Sequence, residues 1–315
     1  YVVMDWYEVE LDAVKFASKA GEILKQYFLP HSSVVDHLDV QFKDNNNSDP
    51  VTLADTAIQE VLSKYISELY PEHGILGEEG LKEVGPAPDV VWIIDPLDGT
   101  RNFIHGLPLF ACSIGVLYKG TPVVGAIFIP WPMSDPGIVL HASVGNGFRI
   151  DNELVAERKP SKFDPNGLIT LPGSFSSNFK FEGKFSGKSG ELRMGGSIAY
   201  EMALVAMGIT QYAVISSAYL WDIAAGVCII RESGGQAVVG TSTSGLSAAL
   251  NKPELWQELA GLVNPWVSAE TTYENMGKRT QPMLVAHSSI LDEISPNIGR
   301  KAFSMKKLSK FLFSV

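Results

Sequence analysis

The chain reads as a layered α/β protein, and the order of its periodicities predicts this. Two stretches of helical period come first, strand-like segments cluster next, and helices and strands then alternate. Its 315 residues, 45% hydrophobic and 19% charged, suffice for one large core or two coupled halves without disulfides.

The first helix is expected over residues 8–28, with Val14, Ala17, Leu24 and Tyr27 on one face. Residues 30–50 turn polar and end in the loop Lys43-Asp44-Asn45-Asn46-Asn47-Ser48-Asp49-Pro50. Thr52 or a neighbour caps a second helix, whose stripe is Ile58, Val61, Leu62, Tyr65, Ile66 and Leu69, and Pro71 stops it. Residues 90–95 read as a buried strand running into a turn. Residues 111–118 and 122–129 read as a hairpin around Lys119-Gly120, and 138–142 and 147–150 as short strands joined through 144–147. Residues 160–190, rich in Ser, Gly, Phe and Lys, suit a boundary between halves and a mobile loop. Helices are then expected over 197–208, 222–233 and 253–263, and strands over 211–215, 236–239 and 283–287. The tail over 300–315 is basic and amphipathic; it suits a surface helix on its own protein, or a membrane- or partner-binding segment. There are no internal repeats.

The net charge of −10 argues against binding a nucleic-acid polymer, which needs a basic footprint, while leaving a nucleotide open as a small substrate. Cys112 and Cys228 lie in apolar runs and read as reduced core thiols; no C-x-x-C motif is present. No apolar run reaches the roughly 18 residues of a membrane span. Residues 1–7 lack the basic start and apolar centre of a signal peptide. A cytoplasmic location is expected, with room for a removed targeting segment because the chain does not begin with Met.

Three segments carry the chemistry: Gly77-Glu78-Glu79-Gly80, Asp95-Pro96-Leu97-Asp98-Gly99-Thr100 and Trp221-Asp222-Ile223-Ala224-Ala225-Gly226. In the second, an apolar strand delivers Asp95 to its end and Pro96 fixes the backbone. Asp95 and Asp98 can then aim at one point, with the Leu97 carbonyl between them. Gly99 lets a phosphate approach backbone N–H groups, and Thr100 adds a hydroxyl at a helix start. Hard oxygen ligands beside an anion-binding turn suit Mg²⁺. Taken singly, each segment has a plainer reading: a solvated pair for Glu78 and Glu79, a capped surface turn for 95–100, a helix N-cap for Asp222. Their combination carries the functional reading.

Together these segments resemble the inositol monophosphatase family of lithium-sensitive, magnesium-dependent phosphatases. Asp55 in Val51-Thr52-Leu53-Ala54-Asp55 and the run Asn102-Phe103-Ile104-His105-Gly106 extend the match, which covers roughly residues 8–290. The resemblance implies an αβαβα five-layer sandwich of the inositol monophosphatase and fructose-1,6-bisphosphatase type, often a homodimer. It implies an N-terminal half over 1–155 with most metal ligands, a C-terminal half over 156–300 with Asp222 and the substrate side, and a basic tail over 301–315.

It also implies roles. Glu78, Asp95 and the Leu97 carbonyl would hold a first Mg²⁺, and Asp95, Asp98 and Asp222 a second. Glu78 with Asp55 would support a third through water. Gly99 and Thr100, beside Asp98, would bind phosphate, and Thr100, paired with Asp55 or near Glu78, would help activate water. Gly196 and Ser197, in Arg193-Met194-Gly195-Gly196-Ser197-Ile198, would meet substrate hydroxyls. Hydrolysis by metal-activated water needs no covalent nucleophile, so His105 and His141 read as structural. Lys43 sits in a loop that in the family can fold over the site, or is simply solvated.

Substrate choice is where the pattern departs. Inositol-selective members carry an acid seven positions before the late Trp-Asp aspartate, and here that position is Ile215. Ser216, Ser217 and Tyr219 are the polar neighbours. Arg101 follows Gly-Thr where a threonine is frequent, and suits a second anionic group on the substrate or a solvent-facing side chain. The expected substrate is a small phosphorylated metabolite, an inositol, sugar or polyol phosphate. The alternatives are fructose 1,6-bisphosphate, a 3′-phosphoadenosine nucleotide or histidinol phosphate, and a non-catalytic binding protein of the same fold.

Overall fold

The computed structural model describes residues 5–28, 40–42, 50–79, 85–156, 162–240 and 256–301. Helix α1 (Trp6–Tyr27) starts at Asp5, whose carboxylate accepts the Tyr7 amide at 3.0 Å. A short antiparallel pair, β1 (Gln41–Phe42) and β2 (Pro50–Val51), leads to α2 (Leu53–Leu69). Thr52 caps α2 as its sequence predicts. The apolar stripe of α2 is narrower than its periodicity suggests. Ile58, Leu62 and Ile66 are wholly buried, whereas Tyr65 and Leu69 are exposed and flank the contact.

These two helices cover one face of a sheet that follows chain order among the described residues. Its strands are β3 (Gly74–Gly77), β4 (Val90–Asp98), β5 (Ala111–Tyr118), β6 (Thr121–Ile129), β7 (Ile138–Ser143), β8 (Phe148–Ile150) and β9 (Glu153–Leu154). β3 runs parallel to β4 and the later pairs are antiparallel. The short α3 (Thr100–Ile104) follows β4. Phe16 and Leu24 of α1 and Ile58 of α2 pack on Trp92, Ile114 and Phe128. The β5–β6 hairpin turns at Lys119 and Gly120, both at positive φ (49° and 77°).

After β10 (Leu168–Thr170), α4 (Phe175–Asn178), β11 (Phe179–Phe181) and β12 (Glu191–Arg193) come α5 (Ile198–Ala206), β13 (Tyr212–Ile215) and α6 (Leu220–Glu232). The described chain closes with β14 (Gly235–Gly240), β15 (Trp256–Glu258), α7 (Tyr273–Met276), β16 (Met283–His287), α8 (Ser288–Ile294) and β17 (Ile298–Arg300). The second sheet has the order β12-β10-β13-β16-β14-β15, while β11 pairs with β17. Along β13 the side chains alternate. Ala213 and Ile215 enter a core with Ile127, Met202 and Val227, while Tyr212 and Val214 face Phe175 and Ile290. Helices α5 and α6 therefore lie between the two sheets, and α4 and α8 close the far side, giving the five layers αβαβα.

Three expectations are corrected, and one stretch is filled in. The strand from Val90 runs on through Asp98, with an irregularity in its pairing between Asp95 and Asp98. The helix expected over 253–263 is not formed in its described part. Trp256–Glu258 pairs instead with Val238, Val239 and Gly240, because the edge of β14 offers a backbone ladder that polar Gln257 and Glu258 can join while staying exposed. Residues 162–190, read as a boundary with at least one loop, also hold β10, α4 and β11. Arg300, placed at the start of the tail, belongs to β17, opposite Phe179. Residues 302–315, the loop containing Lys43, and residues 253–255 lie outside the described residues. Cys112 and Cys228 are buried free thiols, as expected.

Candidate active site

Glycines on adjacent strands build the seat for Asp222. Gly115 and Gly125 are register partners on β5 and β6. A Cβ on Gly115 would stand 2.7 Å from Ala224 Cβ, and one on Gly125 would stand 2.4 Å from the Ala225 carbonyl. Small residues on both sides thus let α6 lie directly on the sheet. Ser113 Oγ donates to the Trp221 carbonyl at 3.0 Å and fixes the start of the helix. Asp222 is not the N-cap its sequence suggests. It sits in the first turn, where its carboxylate accepts the Tyr219 amide at 2.8 Å.

The other acids arrive on β3 and β4. Gly77 pairs with Ile94, and the Glu78 amide donates to the Ile94 carbonyl at 3.0 Å, so Glu78 lies beside Asp95. Asp95 is buried and accepts the Leu97 amide at 3.0 Å. Asp98 accepts the Ser197 hydroxyl at 2.8 Å and the Ala199 amide at 2.5 Å, both from the start of α5. Gly99, at φ 93°, opens α3; a Cβ there would stand 2.9 Å from the Leu109 carbonyl and 3.0 Å from Ser197 Cβ. Thr100 Oγ1 donates to the Leu97 carbonyl at 3.0 Å. Asp55, buried in the first turn of α2, accepts the amide and hydroxyl of Thr52. Thr100 and Asp55 thus bond to other partners rather than to one another.

Crowding of these acids shows in their proton affinities. Burial, then the charges of Glu78, Asp98 and Asp222, hold the Asp95 carboxyl well above its usual range. Burial and Asp98 do the same to Asp222, against the Tyr219 amide and the charge of Arg279. Burial pushes Asp98 to about 7 despite its bonds to Ala199 and Ser197. Asp55 also rises to about 7, through burial with help from Glu79 and Glu78. Among the described residues no three His, Cys, Asp or Glu side chains stand ready-made around one ion. Asp95 and Glu78 instead share a hydrogen bond. A set of hard carboxylate oxygens with proton affinities this high is one that a divalent cation would satisfy, and a buried histidine or thiol set would not.

Two residues here have roles that sequence reasoning did not assign. Glu201, buried in the otherwise apolar α5, accepts the amides of Gly195 and Gly196 at 2.7 and 3.1 Å, and burial lifts it to about 7. An acid in the middle of Ile-Ala-Tyr-Glu-Met-Ala-Leu-Val-Ala was the available signal. Asn102 donates to the carbonyls of Leu109 and Gly195 at 2.6 and 2.7 Å, tying α3 to the same turn. Gly196 and Ser197 therefore stand beside Asp98. Ile215 is buried in the core between the sheets, and Arg101, Arg193 and His105 are exposed. His141 is buried away from these acids, with Nδ1 2.6 Å from Glu10 Oε1.

A family model described as the inositol monophosphatase family matches residues 5–281. The chloroplastic phosphatase IMPL1 of Arabidopsis thaliana is 35% identical over 195 residues, 60% of this chain and 53% of that protein, so the chain spans about half the length of this relative. A Thermotoga maritima protein named fructose-1,6-bisphosphatase/inositol-1-monophosphatase is 32% identical over 227 residues, 71% of this chain and 81% of its own. Among solved structures, a Thermotoga maritima IMPase matches with a TM-score of 0.64 at 26% identity, over 92% of this chain and 95% of that one.

Proposed function

Because the chain belongs to the inositol monophosphatase family of phosphoric monoester hydrolases, we propose that it hydrolyses a sugar or polyol phosphate with Mg²⁺. Glu78, Asp95, Asp98, Asp222 and the Leu97 carbonyl would hold the metal, two or three ions in all, with Asp55 assisting from α2. The observation that carries this reading is the burial and crowding of acids at the ends of β3 and β4 and the start of α6, which raise Asp95 and Asp222 through desolvation and then through their neighbours' charge. When bound, the cation would offset that charge, lower the pKa of a water and polarise the phosphoryl oxygens.

The chain's own residues orient the ester. The amides opened by Gly99 and the Thr100 hydroxyl would take the phosphate oxygens. Asp55 and Glu78 would receive the proton of the attacking water, and burial holds Asp55 near 7, a value well matched to that task. Gly196 and Ser197, set by Glu201 and Asn102, would face the leaving group.

A second reading widens the substrate to a bisphosphate or histidinol phosphate. It is favoured by Ile215, a buried aliphatic where inositol-selective members place an acid. Homodimerisation, lithium inhibition, a cytoplasmic location and indifference to nucleic-acid polymers complete the proposal. The last is supported by the net charge of −10, and no described helix is long and apolar enough to cross a membrane.

The test is phosphate release with and without Mg²⁺ from inositol 1-phosphate, fructose 1,6-bisphosphate, histidinol phosphate and 3′-phosphoadenosine 5′-phosphate, with Asp95→Asn as control. Metal-dependent release lost in the variant supports the mechanism. Release that persists in the variant overturns it.

A further inference from the structure

The leaving-group side of the site is short of charge. β10 runs parallel to both β12 and β13, so the segments that follow them, 171–174, 194–197 and 216–219, leave the sheet at one end. These segments contain Leu, Pro, Gly, Ser, Met, Ala and Tyr only, with no ionisable acid or base among them except the Tyr219 phenol. Ser174 and Ser216 spend hydroxyls on one another at 3.1 Å.

A cation is delivered to this mouth from a distant part of the chain. Thr280 donates its amide and its hydroxyl to the Ala218 carbonyl at 2.7 and 3.1 Å, and Ser217 Oγ donates to the Thr280 carbonyl at 3.3 Å. These bonds pin residues 279–280 to the loop that follows Ile215. The neighbouring Arg279 guanidinium lies over the Tyr219 ring, 4.4 Å from its centroid, and Tyr219 stacks in turn on Trp221 at 4.6 Å. Asp222 follows directly after Trp221, and the Arg279 charge reaches it. The guanidinium is exposed, and among the described residues no carboxylate forms an ion pair with it. A guanidinium held over an aromatic ring keeps its five N–H donors, which can grip an anion in bidentate fashion.

We propose that Arg279, braced on Tyr219, binds a second anionic group of the substrate, so that the chain prefers phosphate esters carrying an additional negative charge over neutral polyol monophosphates. The proposal rests on the phosphatase reading above and makes it more specific. Arg279 is a specificity residue in it, with no part in the bond-breaking step.

The experiment uses matched pairs that share the scissile ester and differ by one further phosphate group. These are fructose 1-phosphate against fructose 1,6-bisphosphate, and adenosine 3′-phosphate against adenosine 3′,5′-bisphosphate, with Mg²⁺. Wild type favours the bisphosphate in kcat/KM in the pair it hydrolyses. Arg279→Gln lowers that preference about tenfold, the scale of one lost charge-assisted hydrogen bond. Arg279→Lys restores part of it, because the charge returns without the planar, bidentate fork. A purely structural Arg279 would lower both members of a pair alike, and an unchanged ratio in Arg279→Gln, or a wild-type preference for the monophosphate, overturns the proposal. Absence of phosphate release from all four compounds by a wild type that hydrolyses inositol 1-phosphate overturns the proposal and leaves the phosphatase reading standing. Absence of release from inositol 1-phosphate and histidinol phosphate as well would remove that reading, and the proposal with it.

Discussion

The Ser197 hydroxyl donates to Asp98 Oδ2 at 2.8 Å, joining residues 99 positions apart in the chain. The same oxygen of Ser197 accepts the Tyr200 amide at 3.2 Å and caps α5. Ser197→Ala removes both bonds. Unfolding free energy is expected to fall by about 1 kcal/mol, the usual cost of a lost cap. Phosphate release in Mg²⁺ is expected to fall more, roughly tenfold or beyond, as for other groups that orient a metal-site acid. Ser197→Thr should keep most of both. Denaturant unfolding and steady-state kinetics on the three proteins check this, and full activity in Ser197→Ala would mean that the Ala199 amide alone orients Asp98.

Asp95 stands at the centre of the acid cluster, so its loss acts in opposite directions with and without metal. Asp95→Asn removes a carboxyl whose ionisation is opposed by burial and by the charges of Glu78, Asp98 and Asp222. The metal-free variant should melt above the metal-free wild type at pH 8, while Mg²⁺-dependent turnover falls by at least about a hundredfold. Scanning calorimetry with EDTA or Mg²⁺ reads the first effect. A variant still raised in Tm by Mg²⁺ as much as wild type would take Asp95 out of the ligand set.

The raised carboxyls make a pH prediction with a definite sign. Asp55, Asp98 and Glu201 sit near 7 in the folded protein and near 4 to 4.5 when unfolded. Between these values the folded state binds more protons than the unfolded one. Their contribution is therefore full below about pH 4 and is lost as pH rises through about 7. The EDTA-treated protein should be more stable at pH 5.5 than at pH 8, and Mg²⁺ should stabilise more at pH 8, where protons no longer compete for the acids. Glu201→Gln should flatten part of the metal-free dependence. Equal Tm values at the two pH values in EDTA would contradict this.

Away from the acids, Glu10 of α1 is fully buried against His141 and Ser143 of β7, with Arg149 Nη1 at 3.8 Å. His141 Nε2 meets the Asp151 carbonyl at 2.5 Å. This network fastens α1 to the outer strands. His141→Ala leaves the carboxylate with less compensation and should cost about 3 kcal/mol of stability, with turnover per folded molecule retained. A loss of turnover exceeding the loss of folded protein would give His141 a part in the site.

Local pattern carried the fold wherever one element's own periodicity decided it. The Thr52 cap, the Lys119-Gly120 turn and the strand over 211–215 were all readable in the sequence. Trp256–Glu258 was not, because a neighbouring strand edge overrode a helical pattern. In the site, Glu78, Asp95, Asp98 and Asp222 stood out as short motifs. Glu201 escaped because its role is to hold two amides across a turn, and Arg279 because nothing in Gly-Lys-Arg-Thr announces that Thr280 is stitched to Ala218. Such relationships are made by tertiary contact and leave little local trace.

Several fastenings around the acids span the two sheets' territories: Asp98 to Ser197 and Ala199, Asn102 to Gly195, and Ser113 to Trp221. A chain cut in the stretch before β10 would yield two fragments, each owning only part of the machinery. Neither could turn over alone, and mixing them would restore turnover in step with their reassociation. Enzymatic output in such a molecule doubles as an internal inspection, since the reaction starts only when every distant piece has found its counterpart.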